Sequence, residues 1–376
     1  MKERVLVGMS GGIDSTASCL LLMKRGYEVA GVTIRNQDIG LLPGCDEPRY
    51  VSEAKAVAAR LGISHYVADE REAFDRDVAM PFVRKWLEGL TPNPCVECNP
   101  GFKFRVLAEW ADRLGCARIA TGHYAQIVER DGRQYIAGGA DTVKDQSYFL
   151  WKLGQDILSR TLFPVGGMRK SEVRDFMKTE GWPVPDSGGE SMEICFIESD
   201  YRDYLRSRVP DIDGRVGRGR FVDSEGRVIG EHKGYPYYTI GQRKGLEVAF
   251  GTPRYVLKTN PARNTVMLGL PEQLETEYML VKDAVLYPYS GIVNGKIING
   301  DMDVRIRYRS QAVPCRIVRE VEPGLHLVRF RSPVSAVAPG QYAVFYQGDV
   351  VIGGAEIASQ RGINQYLENN EDIDTL

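Results

Sequence analysis

The stretch GMSGGIDS at residues 8–15 constrains this chain more than any other. It follows an apolar run, 4–7, that reads as a strand, and it opens an apolar helical pattern through Ala17, Leu20, Leu21 and Leu22. A glycine pair between a strand and a helix lets backbone N–H groups converge on an anion, helped by the helix dipole. Gly8, Met9, Ser10, Gly11, Gly12, Ile13, Asp14 and Ser15 are therefore candidate phosphate-binding residues, with the hydroxyls of Ser10 and Ser15 as extra donors. The stretch has neither a Gly-Lys-Ser/Thr ending nor a G-x-G-x-x-G. Without a loop lysine, γ-phosphoryl transfer is disfavoured. Asp14 would repel a bare phosphate, so its presence points to a bridging Mg²⁺.

Strand and helix patterns alternate through the first half of the chain. Strands are expected at 4–9, 27–34, 64–69 and 117–125, and helices at 16–25, 50–61 and 103–115. Strands separated by helices imply a parallel, doubly wound α/β sheet. Ligands bind such sheets beyond the carboxyl ends of the strands, where the SGG of the loop, Ile34 and Gly122 all fall. Beyond about residue 205, short alternating runs separated by Gly, Pro and Asn turns replace that pattern. They read as antiparallel hairpins and, toward the end, a small β-barrel. The expected division is a phosphate-loop unit at 1–205, a small mainly β central domain at 206–278, a C-terminal barrel at 279–364 and an acidic tail at 365–376. A break between the two β modules is expected near 275–282.

No apolar run approaches membrane-spanning length, and the first strand pattern begins at once, which argues against a signal peptide. Seven cysteines in such a chain fit a reducing cytoplasm better than a disulfide framework. Net charge is −2, so a nucleic-acid partner has to be met by a local basic surface. Arg215, Arg218, Arg220, Arg227, Lys233, Arg243, Lys244 and Arg254 crowd one region, with Tyr235, Tyr237 and Tyr238 among them. Arg305, Arg307 and Arg309 alternate as if on one strand face. Basic side chains interleaved with aromatics suit phosphate contact and base stacking.

Four cysteines invite a plain reading: Cys19, Cys116 and Cys315 as packing, and Cys45 as an exposed loop residue. Cys95 and Cys98, in TPNPCVECN, sit in a segment too rich in Pro and Asn for a core, and no second C-x-x-C completes a zinc site. Cys195, in EICFI, lies nearly a hundred residues later. Paired thiols beside a phosphate loop suggest sulfur transfer, one cysteine carrying a persulfide and the other attacking it.

S-G-G-x-D-S resembles the PP-loop of the ATP pyrophosphatases, which adenylate an acceptor and release pyrophosphate. Together with TPNPxxxCN, KFxxL, ATGHYA, KDQSYFL, EICFI, YTIGQRKGL, IRYRS and PGQYAVFY, it makes the chain similar to the tRNA-specific 2-thiouridylases of the MnmA/TrmU family over nearly its whole length. The resemblance implies ATP-dependent 2-thiolation of the wobble uridine of tRNAs with Lys-, Glu- and Gln-type anticodons, with ATP and Mg²⁺. It implies a sulfur donor such as a cysteine desulfurase or a relay protein. Cys98 matches the nucleophile and Cys195 the persulfide carrier. Ile34 and Gly122 join the loop in binding ATP, although core packing explains Ile34 equally well. Asn93, Pro94 and Cys95 match target-base contacts. His123, Lys144, Asp145, Gln146, Tyr308, Arg309 and Gln341 match tRNA contacts.

Two departures stand out. Better-known members carry Asp where this chain has Cys95, and GGESME precedes ICFI in place of the commoner DSTG or DSQ. The first departure opens an alternative, less favoured than the persulfide route, in which Cys95, Cys98 and Cys195 hold an iron–sulfur cluster. The rivals to thiolation are an amidating PP-loop synthetase, which needs no paired cysteines, and a non-catalytic tRNA-binding module.

Overall fold

The computed structural model describes residues 2–41, 44, 46–184, 194–248, 251–288, 292–293, 296–297, 302–360 and 362–368. The chain divides into two compact units, one of Met1–Met80, Pro94–Glu198 and Asp349–Val351, the other of Pro81–Asn93, Ser199–Gly348 and Ile352–Leu376.

The first unit holds a five-stranded parallel sheet. Its strands are β1 (Arg4–Gly8), β2 (Glu28–Arg35), β3 (Ser64–Asp69), β4 (Arg118–Ala120) and β5 (Thr161–Leu162), in the order β3-β2-β1-β4-β5. Val5, Leu6 and Val7 have no solvent exposure. That continuous apolar run is what a strand covered on both faces requires. The helices α1 (Ile13–Lys24) and α2 (Arg49–Leu61) supply Cys19, Leu22, Ala54 and Ala58 to the core that covers Val5, Val7 and Val29. Chain order reverses beside β1, where β2 pairs on one side and β4 on the other. This is the crevice where doubly wound sheets bind ligands, and the segments leaving β1 and β4 both open there.

One helix and one strand expectation needed correction. The helix expected from residue 16 begins at Ile13, because Gly12 serves as the N-cap of α1. The single strand expected at 117–125 ends at Ala120, and a separate antiparallel hairpin, Ala125–Arg130 with Arg133–Gly138, begins after the turn.

In the second unit, Gly219–Val222 pairs antiparallel with Val228–His232 and parallel with Thr265–Gly269, which in turn pairs antiparallel with Tyr255–Asn260. Six further strands form the barrel, in the order Glu275–Leu286, Leu325–Ser335, Val313–Glu322, Met302–Arg305, Tyr342–Gln347 and Val350–Ile357. Pairing of Val281 with Ile357 and Leu286 with Gly353 closes it. Met279, Val281, Val304, Val328, Phe330, Phe345 and Ile352 alternate into its core. Closure removes the exposed strand edges that short hairpins leave. The segment 275–282, read as a break, is continuous strand. No helix among the described residues is long and apolar enough to cross a membrane.

Candidate active site

The phosphate loop is shaped by contacts that leave glycine no substitute. Met9 donates its N–H to the Val32 carbonyl (2.8 Å) and accepts the Thr33 hydroxyl on its own carbonyl (3.0 Å), which pins the loop to the end of β2. Gly11 has φ +75°, and a Cβ there would lie 2.7 Å from Glu53 Cβ and 3.0 Å from the Ala54 nitrogen. Ser15 donates its hydroxyl to the Gly12 carbonyl (3.0 Å) and accepts the Ser10 N–H (3.3 Å). Gly12 caps α1 without a side chain, so no side-chain oxygen fills the donors of the first turn. Uncapped N–H groups at the start of a twelve-residue helix, beside the exposed Ser10, fit a phosphate. Gly8 and Ile13 are half-buried at the two ends of this loop. Ile34, at the carboxyl end of β2, is half-buried where its neighbours Val32 and Thr33 are closed off from solvent.

Asp14 is the most heavily engaged side chain of the loop. Lys170 reaches it from the start of α3 (Lys170–Thr179), its Nζ 2.9 and 2.8 Å from the two carboxylate oxygens. Tyr124 donates its hydroxyl to Asp14 Oδ1 at 2.7 Å. A lysine is absent from the loop itself, and Lys170 brings one to it from 156 residues away. No local pattern announces this: in GGMRKSEVR the lysine reads as the start of an ordinary helix. Gly122 packs against the loop itself. A Cβ there would stand 2.8 Å from the Asp14 carbonyl carbon and 2.9 Å from the Ser15 nitrogen. Its bareness lets the end of β4 approach the loop backbone.

The three thiols act on one another within the first unit. Cys95 and Cys98 are half-buried on the short helix Pro94–Cys98, and Cys195 is exposed. Its neighbour Phe196 is buried, edge-on to Phe74 at 5.4 Å. Burial first, and the Cys195 thiol second, push Cys95 up to about 12. Burial, then Cys195 and Cys95, push Cys98 higher still. Protein packed around the Cys195 thiol raises it as well, although the residue reaches solvent, while Lys103 and a hydrogen bond with the Asn36 side chain pull it down. Lys103 acts downward on all three thiols. It is held by His123, whose Nε2 lies 3.4 Å from the ammonium. An ammonium can only donate, so Nε2 accepts, and Nδ1 carries the proton given to Thr121 Oγ1 at 2.7 Å. Burial keeps this imidazole neutral, well below the usual histidine range. Gly122 and His123 are adjacent, so phosphate loop and thiols are joined by a short chain of contacts: Asp14, Gly122, His123, Lys103.

Other residues singled out in the sequence are placed as follows. His123 is 8% exposed and stacked on Phe104, so its ring is not presented at the surface. Asp145 is buried and accepts the N–H groups of Gly139 and Ser147 and the Ser147 hydroxyl, which makes it the organiser of its turn. Lys144 and Gln146 flank it, half-buried. In the second unit, Asn93 is half-buried, and Gln341 donates to the carbonyl of nearby Thr91 at 2.8 Å. Pro94, in the first unit, is buried. The strand carrying Arg305 ends there, and Arg307, Tyr308 and Arg309 lie in a turn tied by the Ser310 hydroxyl, so the three arginines do not share a strand face. Three of the eight central basic residues are paired with acids: Arg227 with Asp223 and Glu225, Lys233 with Glu247, Arg218 with Glu231. Tyr237 and Tyr238 are buried rather than offered for stacking. Cys19 and Cys116 are buried, and Cys315 packs against the barrel core. Cys45, GGESME and residues 369–376 lie outside the described residues. Among the described residues no group of three or more His, Cys, Asp or Glu side chains is gathered to hold a metal ion.

Three family models match the chain: a tRNA methyl transferase HUP domain over residues 3–199, a tRNA methyl transferase PRC-barrel domain over 203–270 and an aminomethyltransferase β-barrel domain over 293–357. Among curated relatives, the tRNA-specific 2-thiouridylase MnmA 3 of Phocaeicola vulgatus is 56% identical over 373 residues, 98% of each chain. MnmA 3 of Bacteroides fragilis is 55% identical, over 99% of this chain and 98% of that one. MnmA of Heliobacterium modesticaldum is 43% identical, over 95% and 93%.

Proposed function

The chain belongs to the tRNA-specific 2-thiouridylase family, and from that premise we propose that it converts the wobble uridine of tRNA to 2-thiouridine, with ATP cleaved to AMP and pyrophosphate. It is a tRNA-uridine 2-sulfurtransferase of the PP-loop superfamily. The observation that carries the finer reading is the contact chain from Asp14 to Lys103, which links a phosphate loop to three thiols within one unit.

The loop N–H groups, Ser10, Ser15 and Lys170 would hold the phosphates of ATP. Mg²⁺, oriented by Asp14, would neutralise charge on the departing pyrophosphate. Lys170 replaces the cation that the loop lacks. Uridine O2 attacks the α-phosphorus, which makes AMP the leaving group at C2. Cys195, exposed, is the carrier a sulfur donor can reach: its thiolate attacks the outer sulfur of a persulfide on the donor, takes that sulfur as its own persulfide and releases the donor thiolate. The Cys98 thiolate attacks the Cys195 Sγ and forms a Cys98–Cys195 disulfide. The terminal sulfur departs as hydrosulfide, adds to C2 and expels AMP. A thiol reductant then restores both thiols. Both attacking sulfurs start protonated, so Lys103 has work in each step: its charge favours the anionic sulfur. Lys144, Gln146, Tyr308, Arg309 and Gln341 would meet the tRNA, and Asn93, Pro94 and Cys95 the target base. The sulfur donor is a cysteine desulfurase or a relay protein.

The test is to incubate anaerobically purified chain of known iron content with unmodified tRNA, ATP and sulfide. AMP, pyrophosphate and 2-thiouridine should appear. With a persulfide donor, Cys98→Ser and Cys195→Ser should each abolish thiolation, and Cys95→Ser should be milder. ADP and phosphate as products would refute the loop assignment. A Cys95→Ser variant that loses both stoichiometric iron and activity would refute the persulfide route.

A further inference from the structure

The phosphate loop is tied to the segment 141–147 through two joints. The first is Tyr124, 3% exposed. Its N–H donates to Gln146 Oε1 (3.0 Å), and the Gln146 N–H donates to the Tyr124 carbonyl (2.8 Å). Its hydroxyl donates to Asp14 Oδ1 (2.7 Å), and its ring centroid lies 5.6 Å from the Lys170 ammonium. The second joint is Asp141, which accepts the backbone N–H groups of Lys170 (2.9 Å), Val143 (3.0 Å) and Lys144 (3.2 Å). The segment carrying Lys144 and Gln146 is thus anchored at both Asp14 and Lys170.

We propose that Tyr124 is a positioning residue that couples tRNA on the 144–146 segment to ATP in the phosphate loop, so that each ligand tightens the other. The proposal rests on the reading above that Lys144 and Gln146 meet tRNA. As the structure stands, Lys170 and Tyr124 share the Asp14 carboxylate. A polyphosphate is a stronger partner for an ammonium than one carboxylate, so its arrival draws Lys170 away from Asp14. The Tyr124 hydroxyl then keeps the carboxylate oriented. Tyr124 is in turn only as well fixed as Gln146, which holds its backbone on both the N–H and the C=O side. A tRNA seated on Lys144 and Gln146 fixes that pair before ATP arrives, and the ordering need not be repeated when ATP binds. Linkage makes the effect reciprocal.

The experiment measures the dissociation constant of α,β-methylene-ATP with Mg²⁺ on the full chain, with and without unmodified tRNA. In the parent, tRNA should tighten the analogue by about fivefold or more. Tyr124→Phe keeps the ring against Lys170 and removes only the hydroxyl. Its ratio should fall to within about twofold of unity, with tRNA affinity in the absence of nucleotide as in the parent. Asp141→Asn, which weakens the second joint, should lower the ratio in part and serves as the check should Tyr124→Phe fold poorly. A purely structural tyrosine would weaken both ligands and leave the ratio intact. A ratio of unity in the parent, or a parental ratio in Tyr124→Phe and Asp141→Asn, overturns the proposal. Unchanged tRNA affinity in Lys144→Ala and Gln146→Ala would instead refute the reading of the segment on which it stands.

Discussion

Replacing Lys170 with methionine tests the phosphate site most directly. The ammonium stands 2.8 and 2.9 Å from the Asp14 oxygens, with the two side chains 15% and 30% exposed. Opposite unit charges 2.8 Å apart attract by roughly 6 kcal/mol at an effective dielectric of about 20. Both groups surrender hydration to meet, so the net loss on cutting the pair is smaller, about 1–3 kcal/mol, most of it the cost of leaving Asp14 without its cation. The chain should therefore still fold, with a modestly lowered denaturation midpoint. Catalysis should suffer more. Removing one preorganised charge from the group that departs slows turnover by about 10²–10³-fold. The assay is tRNA-dependent AMP release at saturating ATP, run beside tRNA binding in the absence of nucleotide, which should not change because Lys170 is engaged with the loop. Lys170→Arg should recover part of the rate and Lys170→Met none. A Lys170→Met enzyme within about threefold of the parent rate would show that Lys170 merely neutralises Asp14 and never meets phosphate.

Two further perturbations address the rest of the site. Gly122→Ala places a Cβ 2.8 Å from the backbone of Asp14. Backbone cannot yield as a flexible side chain can, so stability should drop by about 1–3 kcal/mol and binding of the ATP analogue should be lost; an alanine variant that binds it normally would disprove the close packing. For the thiols, burial holds Cys95 near 12 and Cys98 higher, so their alkylation by iodoacetamide should be slow at neutral pH and rise about tenfold per pH unit up to about 11. Exposed Cys195 should label first, and Lys103→Met should slow all three. Because these folded thiols keep protons that the unfolded chain releases above about 9, they stabilise fully below that pH and progressively less toward 12. Labelling of Cys95 that levels off near pH 9 would contradict the burial.

What the sequence determined by itself was everything local periodicity and backbone chemistry encode. An uninterrupted apolar run at 5–7 specifies a strand covered on both faces, the glycine at 11 makes a left-handed turn pressed against Glu53 that no other residue can make, and short alternating runs after residue 205 specify hairpins and a barrel. The family motifs marked Cys98 and Cys195 without any geometry. Local pattern also overreached: Arg305, Arg307 and Arg309 alternate like strand residues, yet the Ser310 hydroxyl turns the chain after Arg305. Basic and aromatic residues near 235 looked like a surface, although neighbouring acids pair several of the cations and packing buries Tyr237 and Tyr238. Only the tertiary structure decided which cation serves the phosphate loop, which cation stands beside the thiols and which residue connects the two loops. Lys170, the Lys103–His123 pair and Tyr124 reach their partners across 156, 20 and 110 residues of chain. An electrostatic partnership depends on separation in space, and a linear pattern records separation only along the backbone.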